Sequence, residues 1–224
     1  MNYKKAFYFI SILTVLLVNV DCKKDPAVKE NLIALTFDDG PDAIYTPKVL
    51  DILKSNNIKA SFFIIGKKIK KFPEVAKRIY SEGHAIGNHT YNHLNCLYIN
   101  IDQLKYEVSR TETLIDSLFG KSNKYVRMPF GFISNEQYLT LTELGYKIIG
   151  WDVDSYDWDI DHNTIEGIVN RVVSQSKPGK IVLLHCADYL DLSSREKTIE
   201  ALPEIIKELQ KKNYKFVTLE NLEK

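Results

Sequence analysis

The sequence predicts an α/β fold in which parallel strands alternate with helices around one hydrophobic core. Short runs rich in β-branched and aromatic residues alternate with stretches whose apolar residues recur every three and four positions. The chain has 224 residues, of which 45% are hydrophobic and 26% are charged. This composition is typical of a globular protein, and this length makes a single domain the default.

An apolar segment near the N-terminus resembles an export signal. It runs over residues 6–20 after two lysines, and at about fifteen residues it is shorter than the ~20 that a membrane-spanning helix needs. Cys22 resembles the lipid-modified cysteine of bacterial lipoproteins, although Asp21 replaces the small residue expected before it. Three interpretations of residues 1–22 stay open: a lipoprotein signal, an uncleaved membrane anchor and a cleaved signal peptide. Each predicts an extracytoplasmic domain, either secreted or attached to the cell envelope.

Residues 23–31 are charged and contain Pro26, which is typical of a linker, so we expect the folded domain to span residues 32–224. Strands are predicted where apolar, β-branched and aromatic residues cluster. The predicted strands are 32–37, 60–65, 125–127, 147–151, 181–184 and 216–219.

Helices are predicted between these strands, several of them beginning at Ser, Thr, Asn or Pro. The predicted helices are 46–54, 73–81, 101–119, 134–144, 163–174 and 194–211. Regular alternation implies parallel strands joined by right-handed crossovers, in either an open doubly wound sheet or a barrel. In both architectures the functional site lies at the carboxyl ends of the strands, so polar residues that directly follow strands are the candidates.

Charge and cysteine content exclude some classes of function. The formal net charge is +1, from 30 basic and 29 acidic side chains, so no strong field would attract nucleic acid, and we expect no nucleic-acid partner. Cys96 and Cys186 are the only cysteines after the N-terminal segment. Either one disulfide between them or two unpaired thiols is compatible with the sequence.

The first strand ends in two adjacent carboxylates, Asp38 and Asp39, in residues 36–41, which read Thr-Phe-Asp-Asp-Gly-Pro. Adjacent acids repel, so their burial requires a cation or separate roles, for example one carboxylate on a metal and one free as a base. An ordinary Asp-rich turn that caps the next helix is the alternative interpretation.

His89 and His93 are four positions apart, after a probable strand. On a helical turn both imidazoles would face the same way and could bind zinc, with Asp39 as third ligand and water in the open position. Two surface histidines are the alternative, although the chain has only five histidines. We expect His84 to be structural and His162 to begin a helix or be solvated.

Three further segments place polar residues after strands. Arg127 can hold a carboxylate through two hydrogen bonds, or form a surface ion pair. Residues 151–158 contain Asp154 and Trp158 after the next strand. His185 ends a strongly apolar strand, where it is either a general acid or a satisfied core histidine.

Together these segments resemble the polysaccharide deacetylases of the rhizobial Nod-factor deacetylase homology group, also called carbohydrate esterase family 4. The patterns are Thr-Phe-Asp-Asp-Gly-Pro, His-Thr-x-x-His, Arg-x-Pro-x-Gly, Asp-x-x-Asp-Trp and Leu-x-His, and the resemblance covers about residues 32–222. It implies a distorted (β/α) barrel with about seven strand-helix units. It also implies a zinc-dependent hydrolase that removes N-acetyl groups from the amino sugars of a polysaccharide.

The resemblance also implies a role for each matching residue. In this scheme Asp38 is the base, His185 the acid, and the zinc ligands are Asp39, His89 and His93. The supporting roles are Arg127 holding Asp38, Asp154 orienting His185, Trp158 and Leu183 walling the acetyl pocket, and Phe130 with Gly131 contacting substrate. The family often has tyrosine where this chain has Phe130, so a backbone oxyanion donor is retained and a hydroxyl contact to sugar is lost.

Other interpretations of these residues remain. Two histidines and one carboxylate also suit Fe(II) in an oxygenase. A carbohydrate-binding module without catalysis is another alternative, although every expected catalytic position is filled. Co²⁺ or Ni²⁺ fits the same ligands as Zn²⁺. The polymer stays open between peptidoglycan, chitin-like oligomers and an exported glycan.

Overall fold

The computed structural model describes residues 30–120 and 122–222, in which strands and helices alternate as predicted. The strands are β1 (Leu32–Asp38), β2 (Ser61–Ile64), β3 (Ala85–Asn88), β4 (Tyr125–Val126), β5 (Lys147–Ile148), β6 (Val153–Asp154), β7 (Lys180–His185) and β8 (Lys215–Phe216). The helices are α1 (Tyr45–Ser55), α2 (Gly66–Lys71), α3 (Pro73–Ser81), α4 (Ile101–Phe119), α5 (Asn135–Glu143), α6 (Ile165–Gln175), α7 (Glu196–Lys211) and α8 (Leu219–Leu222).

The N-terminal predictions fall on residues 1–29, which lie outside this description, as does most of the predicted linker 23–31. The signal, lipoprotein and anchor interpretations therefore stay predictions. Among the helices within 30–120 and 122–222, none combines the length and the hydropathy that crossing a bilayer requires.

The strands form one curled parallel sheet. Their order is β5-β4-β3-β2-β1-β7-β6, and β8 pairs with the first residues of β1. Successive strands lie side by side from β1 to β5, as in a barrel, whereas a doubly wound sheet would reverse the order of its strands. β5 and β6 occupy the two ends of this order and do not pair with each other in the described part of the chain. The predicted distorted (β/α) barrel is thus confirmed, as a half-barrel with helices between its strands.

β1 lies at the centre of this sheet and separates the core from the site. Successive side chains of a strand point to opposite faces. One face of β1 packs in the large core under the helices through Ile33, Leu35 and Phe37. The opposite face carries Thr36 and Asp38, which both accept hydrogen bonds from Arg127. β1, which is buried from Ile33 onwards, therefore carries its charged residue at its carboxyl end, on the face away from the helices.

Most predicted elements are confirmed with small shifts of their ends. The predicted helices 73–81 and 101–119 coincide with α3 and α4. The predicted strand 216–219 is wrong over most of its length, because β8 ends at Phe216 and α8 begins at Leu219. There the backbone carbonyl of Thr218 accepts the N–H groups of Asn221 and Leu222, which turns the chain into a short helix.

Candidate active site

Four strands bring the predicted site residues to one edge of the sheet. In the register between β1 and β7, Asp38 lies opposite His185. The backbone N–H of Arg127, after β4, donates to the carbonyl of Asn88 at the end of β3. The Arg127 carbonyl lies 2.8 Å from Nδ1 of His89, within hydrogen-bond distance. Because the sheet is parallel, its carboxyl ends collect on one side these side chains from distant parts of the chain.

Asp39, His89 and His93 form a buried cluster whose three potential ligand atoms all lie within 4.8 Å of one another. Oδ1 of Asp39 lies 3.1 Å from Nε2 of His93 and 3.5 Å from Nε2 of His89. Despite these short distances, this oxygen has no well-formed hydrogen bond among the described residues. A buried carboxylate oxygen without a hydrogen bond is costly, and a shared cation between these atoms would satisfy it. Two imidazoles and one carboxylate are a donor set that suits zinc.

The charges within this cluster favour metal binding. Burial alone would raise the pKa of Asp39, but the neighbouring His89 and His93 outweigh it and hold this pKa well below its usual range. Burial is also the main cause that lowers the pKa of His93. Asp39 is therefore an anion and His93 tends to be neutral, which are the forms that bind a divalent cation.

The segment between the two histidines is not the helical turn that the spacing predicted. It is an irregular loop in which Thr90 and His93 both have φ near 61°. Glu107, a buried residue of α4, holds this loop. Its carboxylate accepts hydrogen bonds from the backbone N–H groups of Tyr91 and Asn92, at 3.0 and 2.6 Å, and from the Asn92 side chain. The loop brings His93 back towards His89 without helical geometry.

Asp38 lies next to this cluster but has a partner of its own, Arg127. Nη1 of Arg127 donates to Oδ1 of Asp38 at 2.8 Å, and both side chains are almost completely buried. The same guanidinium donates to the carbonyls of Ile149 and Gly150 and lies 4.1 Å above the ring of Phe63. Oδ2 of Asp38 lies 3.8 Å from Nε2 of His89, on the side of the candidate metal ligands.

His185 is paired with Asp157, and not with Asp154 as the resemblance implied. Nδ1 of His185 lies 2.7 Å from Oδ1 of Asp157, whose Oδ2 accepts the backbone N–H of His185. Oδ1 of Asp154 instead accepts the backbone N–H of Tyr156 and the indole N–H of Trp158. The prediction for Asp154 is corrected accordingly, because Asp154 lies at the end of β6 and its carboxylate is taken up by the turn that follows.

The Asp157 carboxylate changes the acidity of His185. Burial would lower the pKa of His185, but the charge of Asp157 and its hydrogen bond outweigh this effect and raise the pKa to about 9. Thr198 of α7 donates a further hydrogen bond to Asp157, at 2.8 Å. His185 is therefore held in one orientation and is protonated near neutral pH.

A cleft of about 500 Å³ opens over these groups. Its walls include the four predicted substrate-contacting residues, Phe130, Gly131, Trp158 and Leu183, together with Asp154. Tyr189 also lines the cleft and stacks on His93, with ring centroids 4.3 Å apart. Phe130 meets the ring of His93 from another side, at 4.9 Å. The cleft therefore has charged groups at its floor and aromatic rings at its mouth.

The sequence reasoning missed Asp157, Glu107 and Tyr189. Asp157 could have been found, because it is the second acid of the Asp-x-x-Asp-Trp pattern. Glu107 gives no signal in the sequence, since a glutamate within a helix ordinarily faces solvent.

Residues expected to lie outside the site do so. His84 is buried, its Nδ1 accepts the N–H of Ala60, and burial lowers its pKa to about 4. His162 is exposed and pairs with Asp159. Cys96 and Cys186 are both buried and unpaired, which decides between the two alternatives for the thiols.

Comparison with known proteins relates the chain to characterised enzymes. The family model described as polysaccharide deacetylase matches residues 25–149. A peptidoglycan-N-acetylglucosamine deacetylase of Bacillus cereus is 41% identical over 190 residues, covering 85% of this chain and 67% of the relative. The peptidoglycan-N-acetylmuramic acid deacetylase PdaA of Bacillus subtilis is 35% identical over 196 residues, covering 87% and 72%. The crystal structure of the Bc1960 peptidoglycan N-acetylglucosamine deacetylase superposes with a TM-score of 0.79 at 39% identity, covering 86% of this chain and 88% of that one.

Gly131 allows the close approach of Trp151 that shapes the cleft wall. Its φ is +73°, and an added Cβ would lie 2.6 Å from Cη2 of Trp151. Gly145 has a similar φ of +83° with nothing within 4 Å, so it is a matched control. We expect Gly145→Ala to lower the free energy of unfolding by about 1 kcal/mol, and Gly131→Ala to lower it by about 1–3 kcal/mol more because of the clash. Urea denaturation measures both, and equal losses would show that the Trp151 ring moves freely.

Proposed function

This chain belongs to the polysaccharide deacetylase family, and we propose that it hydrolyses N-acetyl groups of the amino sugars in peptidoglycan, with a divalent cation as cofactor. The observation that carries this proposal is the convergence of three groups on one cleft: Asp38 with Arg127, the cluster of two histidines and Asp39, and His185 with Asp157. Peptidoglycan is favoured over chitin-like and other exported glycans because both relatives described above are peptidoglycan deacetylases.

Asp39, His89 and His93 would hold the cation, for which we propose zinc, and Co²⁺ or Ni²⁺ fits the same atoms. The Asp39 oxygen that lacks a hydrogen bond supports this assignment. When bound, such an ion supplies Lewis acidity that polarises the amide carbonyl and lowers the pKa of water.

Asp38 is proposed as the general base. Its Oδ1 is fixed by Arg127, which leaves Oδ2 directed towards the side of the metal ligands, where it can accept a proton from the attacking water. The buried guanidinium of Arg127 pairs with this carboxylate and fixes its orientation.

His185 is proposed as the general acid, which protonates the departing amine. The reaction needs this proton because an amide anion is a poor leaving group. Asp157 keeps Nδ1 of His185 occupied, so Nε2 is the nitrogen that can give its proton to the substrate. Trp158 and Leu183 would enclose the acetyl methyl group. The backbone N–H of Phe130 would donate to the oxyanion, a type of contact whose loss slows such enzymes about 100- to 1000-fold.

The proposed reaction takes place outside the cytoplasm, because peptidoglycan lies there. Residues 1–22 would supply the export signal, with attachment to the membrane through this segment or through a lipid on Cys22 as the accompanying prediction.

Acetate release from purified polymers tests the proposed function. We expect release from peptidoglycan, loss of release with a chelator, and recovery when Zn²⁺ is restored. Release from chitin oligomers or another exported glycan, without release from peptidoglycan, would change the proposed polymer. Oxygen-dependent turnover with iron in place of acetate release would contradict the hydrolase assignment.

Two substitutions distinguish the role of the proposed base from that of the proposed metal ligands. We expect Asp38→Asn to retain bound zinc and to lose activity about 100- to 10,000-fold, because an amide cannot accept the proton. We expect His89→Ala to lose both zinc and activity, because one of three ligands is removed. Metal analysis and acetate release measure the two properties. Full activity in Asp38→Asn would remove it as the base.

The alkaline limit of activity tests the partner of His185. Asp157 raises the pKa of His185, so in Asp157→Asn this pKa falls and the acid loses its proton at lower pH. We expect the alkaline limb of the kcat/KM profile to move to lower pH by about 1–3 pH units. Asp154→Asn is the control and should leave the limb nearly in place. The reverse pattern would show that Asp154 is the partner in the working enzyme.

Glu107 is proposed to position His93 by holding the loop between the two histidines. Both carboxylate oxygens of Glu107 accept N–H groups of the loop, so in Glu107→Gln the amide NH2 must face a donor at either position, and we expect zinc affinity to fall about 10- to 100-fold. Glu112→Gln is the control, because Glu112 lies on the same helix and contacts Tyr146 and Lys124 instead. Competition with a chromophoric chelator measures the affinity. Equal affinities in the two variants would leave Glu107 with a purely structural role.

A further inference from the structure

The two proposed histidine ligands differ in what fixes their rings. A histidine that binds a metal through one ring nitrogen ordinarily donates the N–H of its other nitrogen to a carbonyl or a carboxylate, which holds the ring in place. His89 has such a partner, because its Nδ1 lies 2.8 Å from the carbonyl of Arg127. Nδ1 of His93 is also buried, but it has no hydrogen-bond partner among residues 30–120 and 122–222. The ring of His93 therefore needs another constraint.

Aromatic rings surround the imidazole of His93. The ring of Tyr189 lies nearly parallel to it, with centroids 4.3 Å apart and an angle of 25° between the two planes. Phe130 contacts the imidazole edge-to-face, with centroids 4.9 Å apart and an angle of 70°. Both arrangements are favourable for aromatic rings. Phe130 is 45% exposed, whereas Tyr189 is closer to the imidazole and half-buried, so Tyr189 constrains it more strongly.

Two buried cations hold the loop that carries Tyr189. Lys68 is only 2% exposed, and its Nζ donates to the carbonyl of Asp188 at 2.5 Å. Arg195, 4% exposed, donates to Oδ1 of Asp188 at 3.2 Å and to the carbonyl of Ala187 at 3.0 Å. Burying a lysine and an arginine is costly unless their partners are well placed. The backbone directly before Tyr189 is therefore fixed, and its ring extends over the imidazole from a rigid base.

We propose that Tyr189 is a positioning residue for His93: its ring packs against the imidazole and keeps Nε2 directed at the metal site. Packing thus has the role that a hydrogen bond has for His89. The proposal rests on the proposed function, in which His93 is a metal ligand. Nε2 of His93 lies 3.1 Å from Oδ1 of Asp39, so a rotation of the imidazole would move this donor away from the other ligands. The role belongs to the ring of Tyr189 and not to its hydroxyl group.

The zinc affinities of three variants test this role. In Tyr189→Ala we expect the dissociation constant for Zn²⁺ to rise about three- to tenfold, because the imidazole loses its stacked neighbour. Tyr189→Phe keeps the ring and should stay within about twofold of wild type. Tyr80→Ala is the matched control, because Tyr80 stacks on Phe119 at 5.2 Å and does not line the cleft, so its loss should leave the affinity unchanged. Competition with a chromophoric chelator measures all three.

Two spectra report on the site itself. The visible absorption of bound Co²⁺ depends on its coordination geometry, so we expect a changed spectrum in Tyr189→Ala and the wild-type spectrum in Tyr189→Phe. The second measurement needs no variant and therefore decides the question even if Tyr189→Ala does not fold. In zinc-loaded wild type labelled with ¹⁵N-histidine, the Nδ1 proton of His89 should have the downfield shift of a hydrogen-bonded N–H, and that of His93 should lack it.

The possible outcomes separate this inference from the proposed function. Wild-type protein that binds no Zn²⁺ contradicts the proposed metal site itself. Zinc binding by wild type, together with an equal affinity in Tyr189→Ala or an equal loss in Tyr80→Ala, overturns only the role of Tyr189. A hydrogen-bonded Nδ1 proton on His93 also overturns it, because that bond would then fix the ring. If Tyr189→Phe loses as much affinity as Tyr189→Ala, the hydroxyl group and not the ring acts on the site, which again contradicts the proposal.

Discussion

Two adjacent buried carboxylates, Asp38 and Asp39, impose the constraint on which the whole site depends. Like charges so close together in a poorly hydrated place destabilise the fold unless each has its own compensation. The fold provides it by directing the two side chains to different partners. Asp38 meets the guanidinium of Arg127, whereas Asp39, with a φ of 70°, turns towards the two imidazoles. One strand end thereby holds two acids with separate chemical properties.

The parallel sheet fixes the positions of the partners of these two acids. Asp38 and His185 face each other across β1 and β7, and Arg127 reaches Asp38 from the end of β4, three strands away on the other side. Backbone hydrogen bonds between the strands fix these positions independently of the side chains. The irregular loops add two further contacts. Glu107 holds the loop that places His93 beside His89, and Asp157 pairs with His185. In the proposed reaction, strands set the distances and loops set the orientations.

The sequence predicted the architecture well, and it selected residues that the fold brings together at one cleft, for identifiable reasons. Helices such as α3 and α4 have apolar residues at strict spacings and clear starting residues, so their ends were found. β3 and β6 were not delimited; β3 contains Gly87, and a glycine weakens the pattern typical of a strand. The glycine is needed because a Cβ there would lie 2.5 Å from the ring of Phe63, a contact between distant segments.

The contacts around the reacting groups were harder to predict. The choice of Asp157 over Asp154 depends on how the turn after β6 folds, and the sequence pattern contains both acids. Glu107 and Lys68 look like ordinary solvated side chains in the sequence, and only tertiary packing buries them. Residues that act through the backbone of another segment leave no pattern of their own along the chain.

The open side of the half-barrel gives Arg127 a second importance. Among the described residues β5 is the last strand at this end of the sheet, and the guanidinium that holds Asp38 also donates to the carbonyls of Ile149 and Gly150, which follow β5. One side chain therefore supports both the segment at the open side of the half-barrel and the orientation of the proposed base. A substitution of Arg127 would therefore disturb Asp38 and the open side of the half-barrel together, so neither can be altered through this residue without the other.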